Sequence, residues 1–345
     1  MKINFVGDIG IFRKYEELNI DPFDLIQLPG ADLNIGNFEF IISQSGKPFF
    51  YDVQEQYSCN YSYLNKININ KFDGLGLANN HSLDYGLNGA KETIAGLKNQ
   101  KIEVFGFSEN NDYSIGEFTH GDIKLAIIAC VKKGRWSKQN FGYGPDAYDV
   151  DEIVDKIKLL KLKFDAVIVF PHWGTELIEI PDFQDTIHAK KFIDAGADAV
   201  IGHHPHIPQG TEEYGNGLIA YSLGSFIYIH EEELGFSSRN GNRYYSICLN
   251  IEIGKEGILN YKPYLYKYNA LKKIPEVCNE SETQEYFDFL NKNIYNRKIY
   301  KRQIFRVLVR REIKSFWERF KKNPARTLIQ YIKFINPRHI KKMIA

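Results

Sequence analysis

The chain of 345 residues contains few cysteines and no long apolar run. Its four cysteines are Cys59, Cys130, Cys248 and Cys278. They lie far apart and form no CxxC pair, which argues against a zinc finger and a disulfide framework and predicts reduced thiols in the core. No stretch is apolar enough to cross a bilayer, and the opening MKINFVGDIG contains no apolar signal core. These features predict a cytoplasmic location.

An excess of charge of one sign is also missing, because 44 Lys and Arg face 43 Asp and Glu. The net charge of +1 argues against a nucleic-acid footprint over the whole molecule. The distribution is uneven, since residues 280–345 carry 17 basic against 6 acidic side chains and residues 1–279 carry 27 against 37. We therefore predict an acidic part over residues 1–279 and a basic, amphipathic helical extension over residues 280–345.

What the sequence does contain is an alternation of short apolar strands with helical patterns. The predicted strands are 2–8, 31–40, 72–80, 102–107, 123–130, 165–174, 198–204 and 218–226, with antiparallel strands near 244–253 and 258–268. Helices are predicted over 87–99, 151–163 and 183–195. With 43% hydrophobic residues, the chain can bury a large core. The alternation predicts a layered α/β fold.

Five of these strands end on side chains that bind metal or transfer protons. They are Asp8; Asn37 and Glu39; Asn79, Asn80 and His81; His172; and His203, His204 and His206. Any one of them is usually a cap or a turn former. If the strands lie side by side, however, the five ends meet at one edge of a sheet, where oxygen and nitrogen ligands can hold two ions.

The histidine cluster lies in IGHHPHIPQG, residues 201–210, on a chain with nine histidines in total. Clustered neutral imidazoles suit a borderline metal such as Zn, Mn or Fe. A histidine-rich surface loop is the alternative interpretation, and the cluster alone does not decide between them.

The order GD…NFE…ANNHSLDYG…PHWGTE…GHHPHIPQ…YSLGSF resembles the CapA family of poly-γ-glutamate capsule biosynthesis proteins, whose domain belongs to the calcineurin-like metallophosphoesterase superfamily. The resemblance spans roughly residues 1 to 270. It implies a metallophosphoesterase-like β-sandwich flanked by helices, and one or two divalent ions (Mn, Fe or Zn). The implied metal ligands are Asp8, Glu39, Asn80, His172, His204 and His206, with Glu39 bridging the two ions.

The resemblance also implies roles for residues near these ligands. His81 resembles the superfamily's catalytic histidine, which steadies or protonates the leaving group, and Asp84 would orient its ring. Substrate contacts are expected from Asn37, Asn79, Glu176, Gln209 and Ser225. Ser225 departs from the family's YSLGNF pattern.

Several marked residues have two interpretations. His203 is not a ligand in the resembling motif, so it either supports a ligand or belongs to a plain loop. Trp173 either shapes the pocket or packs in the core. Loop 131–146 either attracts an anionic substrate with its basic side chains or is merely solvated. Loop 230–245 is a lid or a simple hairpin connection.

We expect a metal-dependent hydrolase of an anionic ester or amide in capsule or exopolymer synthesis, acting on a small molecule or a polymer. The alternatives are a non-catalytic assembly factor and a cytosolic phosphoesterase unrelated to capsule.

The basic tail shows helical spacing over residues 301–322. Its apolar stripe consists of Phe305, Val309, Ile313, Phe316 and Phe320. This helix either packs on the domain or, within residues 300–345, rests on anionic lipid at the inner face of the membrane. Nucleic acid is disfavoured by the acidic remainder of the chain.

Overall fold

The computed structural model of the protein describes residues 1–43, 48–49, 58–109, 112–134, 142–228 and 244–324. The chain divides into two compact units, Met1–Tyr295 and Asn296–Ala345. Three segments lie outside the described residues: 135–141, which is part of loop 131–146; 229–243, which contains most of loop 230–245; and the tail beyond residue 324.

The strands in chain order are β1 (Lys2–Ile9), β2 (Leu33–Phe38), β3 (Ile41–Ile42), β4 (Ser58–Cys59), β5 (Gly74–Gly76), β6 (Glu103–Phe105), β7 (Phe107–Ser108), β8 (Gly116–His120), β9 (Ile123–Val131), β10 (Gly144–Pro145), β11 (Ala166–His172), β12 (Ala199–Ile201), β13 (Thr211–Tyr214), β14 (Gly217–Ala220), β15 (Ser225–Ile227), β16 (Tyr245–Gly254), β17 (Gly257–Asn269) and β18 (Ile274–Val277). The helices are α1 (Arg13–Leu18), α2 (Tyr61–Leu64), α3 (Gly86–Asn99), α4 (Val150–Leu160), α5 (Phe183–Asp194), α6 (Glu280–Asn293) and α7 (Arg297–Lys322), with a 3-10 turn at Ile69–Lys71.

Two large sheets form the first unit. The first has the order β18-β17-β16-β1-β2-β5-β6, with β15 also paired to β1, and the second has the order β13-β14-β12-β11-β9-β8. The strands β1, β2, β5 and β6 run parallel, as do β9, β11, β12 and β14. Parallel strands covered on both faces carry continuous apolar runs, and every residue of β11 is buried.

The core between the sheets is aromatic and aliphatic. Phe170 of the second sheet contacts Phe5 and Phe105 of the first, with ring centroids 6.2 and 6.0 Å apart. Helices α4 and α5 cover the outer face of the second sheet, because apolar residues at helical spacing, such as Ile153 and Ile157, face it. The predicted layered α/β sandwich flanked by helices is confirmed.

Strand limits differ from the sequence prediction at the edge that carries the polar residues. The strands predicted over 72–80 and 198–204 end at Gly76 and Ile201, so the polar residues after them lie in loops. The strand predicted over 218–226 is two strands, β14 and β15. The break contains Gly224, whose φ of 76° is left-handed and favours glycine.

Helix α6 belongs to the first unit, whereas the sequence placed residues 280–345 together in the extension. Its Phe287 and Leu290 are buried in the core between the sheets. Asn279 begins the helix with a capping box, in which its side chain accepts from the backbone N–H of Glu282. The extension described by the structure therefore begins at Asn296.

The second unit is described as one helix, α7, of 26 residues. Asn296 caps its start by accepting a hydrogen bond from the backbone N–H of Ile299 at 3.1 Å. Within the described ranges, none of the helices is both long and apolar enough to span a membrane. The chain beyond Pro324 lies outside those ranges.

Candidate metal centre

Ligand-type side chains from both sheets converge at one edge of the sandwich. Asp8 lies near the end of β1, Glu39 directly follows β2, and His172 ends β11. In one group, Asp8, Glu39 and His172 each offer a ligand atom, and these atoms lie within 4.8 Å of one another. Glu39, His204 and His206 form a second group by the same measure. Glu39 is common to both groups.

Two glycines bring Asp8 to this edge. The backbone N–H of Asp8 donates to the carbonyl of Gly224 at 2.9 Å. A Cβ atom on Gly7 would lie 1.8 Å from the same carbonyl oxygen, so no larger residue fits there. The close approach of these two backbone segments fixes where the Asp8 side chain begins.

The histidine loop has an unusual backbone. His204 and His206 have φ of 97° and 60°, in the left-handed region that residues with a Cβ rarely adopt. Such strain costs about 1–3 kcal/mol a residue and is concentrated at functional sites. It puts the His204 ring 4.6 Å from the His172 ring and 5.9 Å from the His206 ring.

The centre contains buried polar atoms that have no hydrogen-bond partner in the described part of the chain. These atoms are Glu39 Oε1 and Oε2, His203 Nδ1 and Nε2, and His204 Nδ1. Leaving such atoms unpaired costs free energy, whereas coordination to a cation would satisfy them. Carboxylate oxygens together with imidazole nitrogens suit Mn, Fe or Zn. The residues therefore fit a divalent metal centre.

Charge in the centre is unevenly distributed. Burial raises the pKa of Glu39 to about 8, although the nearby His206 opposes the shift. Burial would also raise the pKa of Asp8, but hydrogen bonding and charge from His206, with help from His172 and His203, bring it below its usual range. Burial would lower the pKa of His206, yet Glu39 and Asp8 raise it to about 10. A protonated His206 thus partly compensates the two carboxyl groups.

The imidazoles of His172 and His204, by contrast, are neutral. Burial lowers the pKa of His172 to about 3 and brings that of His204 well below its usual value. Neutral imidazole is the form that coordinates metal. Asn80, the remaining predicted ligand, lies beside them, because its Oδ1 is 2.7 Å from His172 Nε2.

His81 lies beside these ligands but belongs to neither ligand group. Its Nδ1 donates to Asp84 Oδ2 at 2.6 Å, while its Nε2 is 3.9 Å from Glu39 Oε1. Burial would lower its pKa, but the charge and hydrogen bond of Asp84 raise it to about 9. About a quarter of the side chain is exposed, at 24%. The ring is therefore a cation at neutral pH that reaches both the centre and solvent.

The amides of Asn37 and Asn79 are buried among the ligands. Asn37 Nδ2 donates to Asp8 Oδ1 at 2.8 Å and lies 3.3 Å from His172 Nδ1. Asn79 Nδ2 donates to the carbonyl of Phe38 at 2.8 Å, and its Oδ1 accepts from the backbone N–H of His81 at 3.1 Å. Both hold ligand-bearing segments in position, and their substrate-binding roles stay predictions.

The other residues for which the sequence suggested a role in the pocket differ in their contacts with the centre. Gln209 is buried, and its Nε2 donates to the carbonyl of Ile178 at 2.7 Å. Ser225 Oγ lies 3.1 Å from His206 Nδ1. The carboxylate of Glu176 is close enough to influence the pKa values of Glu39 and the ligand histidines. Trp173 is a core residue whose indole N–H donates to the carbonyl of Tyr221 at 2.9 Å.

Sequence reasoning missed two residues near the centre. The buried carboxylate of Asp185 lies 2.7 Å from Lys132 Nζ, and burial raises its pKa to about 6 against the effect of Lys132. The backbone N–H of Lys132 donates to the carbonyl of His172 at 3.2 Å. The Tyr228 ring lies 5.1 Å from the His206 ring. Neither Asp185, within a helix, nor Tyr228, after a strand, belongs to a spacing motif that would have indicated it.

A sequence profile of the family described as bacterial capsule synthesis protein PGA_cap matches residues 2–229. The chain belongs to this family. It is 28% identical over 253 residues to the capsule biosynthesis protein CapA of Bacillus anthracis, a match that covers 66% of this chain and 60% of that protein. It is 27% identical over 241 residues to the PGA biosynthesis protein CapA of Bacillus subtilis strain 168, covering 66% and 63%.

The chain thus spans somewhat less than two thirds of the length of these two PGA_cap relatives. Among solved structures, a phosphatase from Mycoplasma pneumoniae is 14% identical, with a TM-score of 0.44 over 84% of this chain and 98% of that one. The segment that matches the PGA_cap profile contains the whole centre, from Asp8 to Tyr228, and excludes α6 and α7.

Proposed function

We propose that this PGA_cap-family chain is a hydrolase that uses one or two divalent cations to cleave an anionic ester or amide in capsule-polymer synthesis. The observation that carries the proposal is the position of Glu39. Its carboxylate is buried, it belongs to both groups of ligand-type side chains, and both of its oxygens are without a hydrogen-bond partner in the described chain. A shared carboxylate is what a centre for two cations requires.

The residues that would hold the cations are Asp8, Glu39, Asn80, His172, His204 and His206. When bound, divalent cations supply Lewis acidity toward a phosphoryl or carbonyl oxygen and lower the pKa of water to about 7. His206 must lose its proton to become a ligand, so loading should release protons. Asp8 and Glu39 would then be neutralised by cations and no longer by His206.

His81 would be the general acid. Asp84 holds the Nδ1 proton, which leaves the Nε2–H directed toward the centre, 3.9 Å from Glu39 Oε1. In the reaction, Nε2 would give its proton to the departing oxygen or nitrogen of the ester or amide. The raised pKa of about 9 keeps this proton available at neutral pH. The partly exposed ring can regain a proton from solvent.

Charge and family membership support the proposed substrate class. A centre loaded with cations attracts phosphate or carboxylate groups. Family membership and the names of the Bacillus relatives support a γ-glutamyl polymer or its precursors as the context. A phosphoester and a γ-glutamyl amide both present an oxygen that the same centre can polarise.

The test uses full-length protein, stripped of metal and reloaded with Mn, Fe or Zn. Turnover of bis(p-nitrophenyl) phosphate, p-nitrophenyl phosphate and γ-glutamyl-p-nitroanilide is measured together with metal content. We expect metal-dependent turnover of at least one compound, and its loss together with metal in His206→Ala. His120→Ala is the matched control, because His120 is an exposed histidine of β8 that pairs with Asp32. Metal-loaded protein that turns over none of the three would reject the hydrolase and favour the assembly factor.

A cytoplasmic location is also part of the proposal. It is supported by the cysteines, because Cys59, Cys130, Cys248 and Cys278 are all free thiols. Free thiols are the usual state in a reducing compartment. Cell fractionation of a tagged chain, with known cytoplasmic and extracellular markers, tests it.

A further inference from the structure

Helix α7 carries a concentration of positive charge that the metal centre does not explain. Its residues Arg297–Lys322 include eleven Lys and Arg against two Glu. The basic residues occur along the whole helix, so one anionic group could not neutralise them. This charge calls for an extended anionic partner.

The same helix exposes large apolar side chains. Phe305, Ile313 and Trp317 are each more than half exposed. Their spacing of eight and four residues places them within about one third of the helix circumference. Trp317 also contacts the rings of Phe316 and Phe320, with centroids 5.6 Å apart in both pairs. The helix therefore offers an aromatic and aliphatic surface together with its basic residues.

We propose that α7 binds the surface of a membrane that contains anionic lipids. Basic side chains would contact the headgroups, while Phe305, Ile313 and Trp317 would enter the boundary between headgroups and acyl chains. Nucleic acid would match the charge but offers no apolar layer for Ile313. The proposal is independent of the hydrolase activity.

Flotation of the full-length protein with vesicles tests it. We expect binding to phosphatidylglycerol/phosphatidylcholine vesicles that falls as salt is raised, and no binding to pure phosphatidylcholine. Changing the exposed residues Lys301, Arg302 and Arg306 together to Gln should weaken the partition by about 10-fold or more. The control changes three exposed lysines of the first unit, Lys98, Lys163 and Lys255, to Gln and should bind like wild type.

Fluorescence reports on the apolar contact. In a Trp136→Phe background the remaining tryptophans are Trp317 and the buried Trp173. A blue shift on adding the anionic vesicles should then be lost in Trp317→Phe, which keeps the aromatic surface and should still float. Equal binding to both vesicle types, or equal losses in the two triple variants, would overturn the proposal. If single-stranded RNA displaces the protein from the anionic vesicles, the helix binds nucleic acid in preference to the membrane.

A separate observation concerns His203. Its side chain is fully buried, and neither ring nitrogen has a hydrogen-bond partner within the described residues. The ring packs on Phe170, with centroids 4.0 Å apart, and Nδ1 lies 3.8 Å from Asp8 Oδ1. A phenyl ring would fill this place without unpaired polar atoms, so packing alone does not account for an imidazole.

The position of His203 is set by the backbone on both sides. Its N–H donates to the carbonyl of Pro171 at 2.9 Å, and its carbonyl accepts from the N–H of Trp173 at 3.1 Å. The ring is thus held against Oδ1 of Asp8, while Oδ2 of the same carboxylate lies 3.1 Å from His206 Nδ1.

We infer that His203 is a positioning residue that orients the Asp8 carboxylate toward the metal through the approach of its Nδ1 to Oδ1 at 3.8 Å; this rests on the proposed metal centre. Outer partners of this kind contribute about 10- to 100-fold to metal affinity. His203→Phe removes the polar nitrogen beside Asp8 and keeps an aromatic ring, and His203→Gln keeps a polar N–H group on the side chain.

The measurement is calorimetric titration of metal-depleted protein with Mn²⁺, paired with the melting temperature of the metal-free protein. We expect about 10-fold or more weaker Mn²⁺ binding in His203→Phe, recovery toward wild type in His203→Gln, and a metal-free melting temperature for His203→Phe at or above wild type. Unchanged affinity in His203→Phe, or a melting temperature that falls in parallel with affinity, would overturn the role of His203. Failure of wild type to bind any divalent metal would instead overturn the proposed function.

Discussion

The two sheets contribute opposite chemistry to the centre. The first sheet and its loops supply the carboxylate half, which consists of the carboxyl groups of Asp8 and Glu39 together with the amides of Asn37 and Asn80. The second sheet and its loops supply the imidazole half, which consists of His172, His203, His204 and His206. Neither half is a metal site alone, because the carboxylates need positive charge and the buried imidazoles prefer to be neutral. The centre exists only where the sheets meet.

His206 shows what contact between the halves does. Its Nδ1 lies 3.1 Å from Asp8 Oδ2 and 3.7 Å from Glu39 Oε2, and its pKa rises to about 10. His204, two residues away, belongs to the same loop, yet burial lowers its pKa. Identical side chains thus become a cation or a neutral ligand according to which half they touch.

Removing the shared carboxylate should have the largest effect. Glu39→Gln keeps the size of the side chain and removes the charge common to both ligand groups. We expect loss of the bound metal, measured by elemental analysis, and a fall in turnover of about 10³-fold or more, comparable to the loss of a main electrostatic contribution. Full metal content in this variant would show that Glu39 is not shared.

His81→Ala should have the next largest effect on turnover. His81 is the imidazole on the carboxylate side, and it belongs to neither ligand group. We expect turnover to fall by about 10²-fold or more while metal content stays near wild type. Metal loss as large as in His206→Ala would make His81 a ligand and not an acid.

The variant Asp84→Asn tests the ion pair between His81 and Asp84 through the pH dependence of stability. The pKa of His81 rises from 6.5 to about 9 in the folded, metal-free protein, mainly because Asp84 outweighs the effect of burial. The resulting stability is fully present below pH 6.5 and is lost as pH rises through about 9.

Below pH 6.5 we therefore expect the unfolding free energy of the metal-free wild type to exceed that of Asp84→Asn by about 1–3 kcal/mol. This difference should become smaller as pH rises toward about 9. Urea titrations across this pH range measure the gap. A gap that does not change with pH would mean that Asp84 does not hold the charge of His81.

Gln209→Leu should have the smallest effect on catalysis. Its side-chain amide is buried and donates to the carbonyl of Ile178, away from exposed space. We expect a loss of about 1–3 kcal/mol in unfolding free energy, since that carbonyl loses its donor, with kcat and KM unchanged. A raised KM at unchanged stability would instead support the substrate contact that the sequence predicted for Gln209.

The sequence alone determined the elements and the residue types of the centre. Strands such as β9 and β11, and helices such as α4, were predictable because apolar periodicity is local and the layered α/β class follows from its alternation. The sequence also predicted that possible metal ligands such as Glu39 and His172 lie at or just after strand ends. Such residues come together because the carboxyl ends of parallel strands lie at the same edge of a sheet. The family resemblance rested on those same residues.

Only the tertiary structure decided how those residues meet. That Glu39 serves both ligand groups, that His203 is buried against Asp8, and that Tyr228 lies beside His206 depend on contacts between residues up to about 200 positions apart. Burial and charge in the assembled centre then set the pKa values, which separate His206 from His204 although they lie two positions apart. Local sequence carries no such information, because protonation follows the dielectric and the charges that surround a group in space.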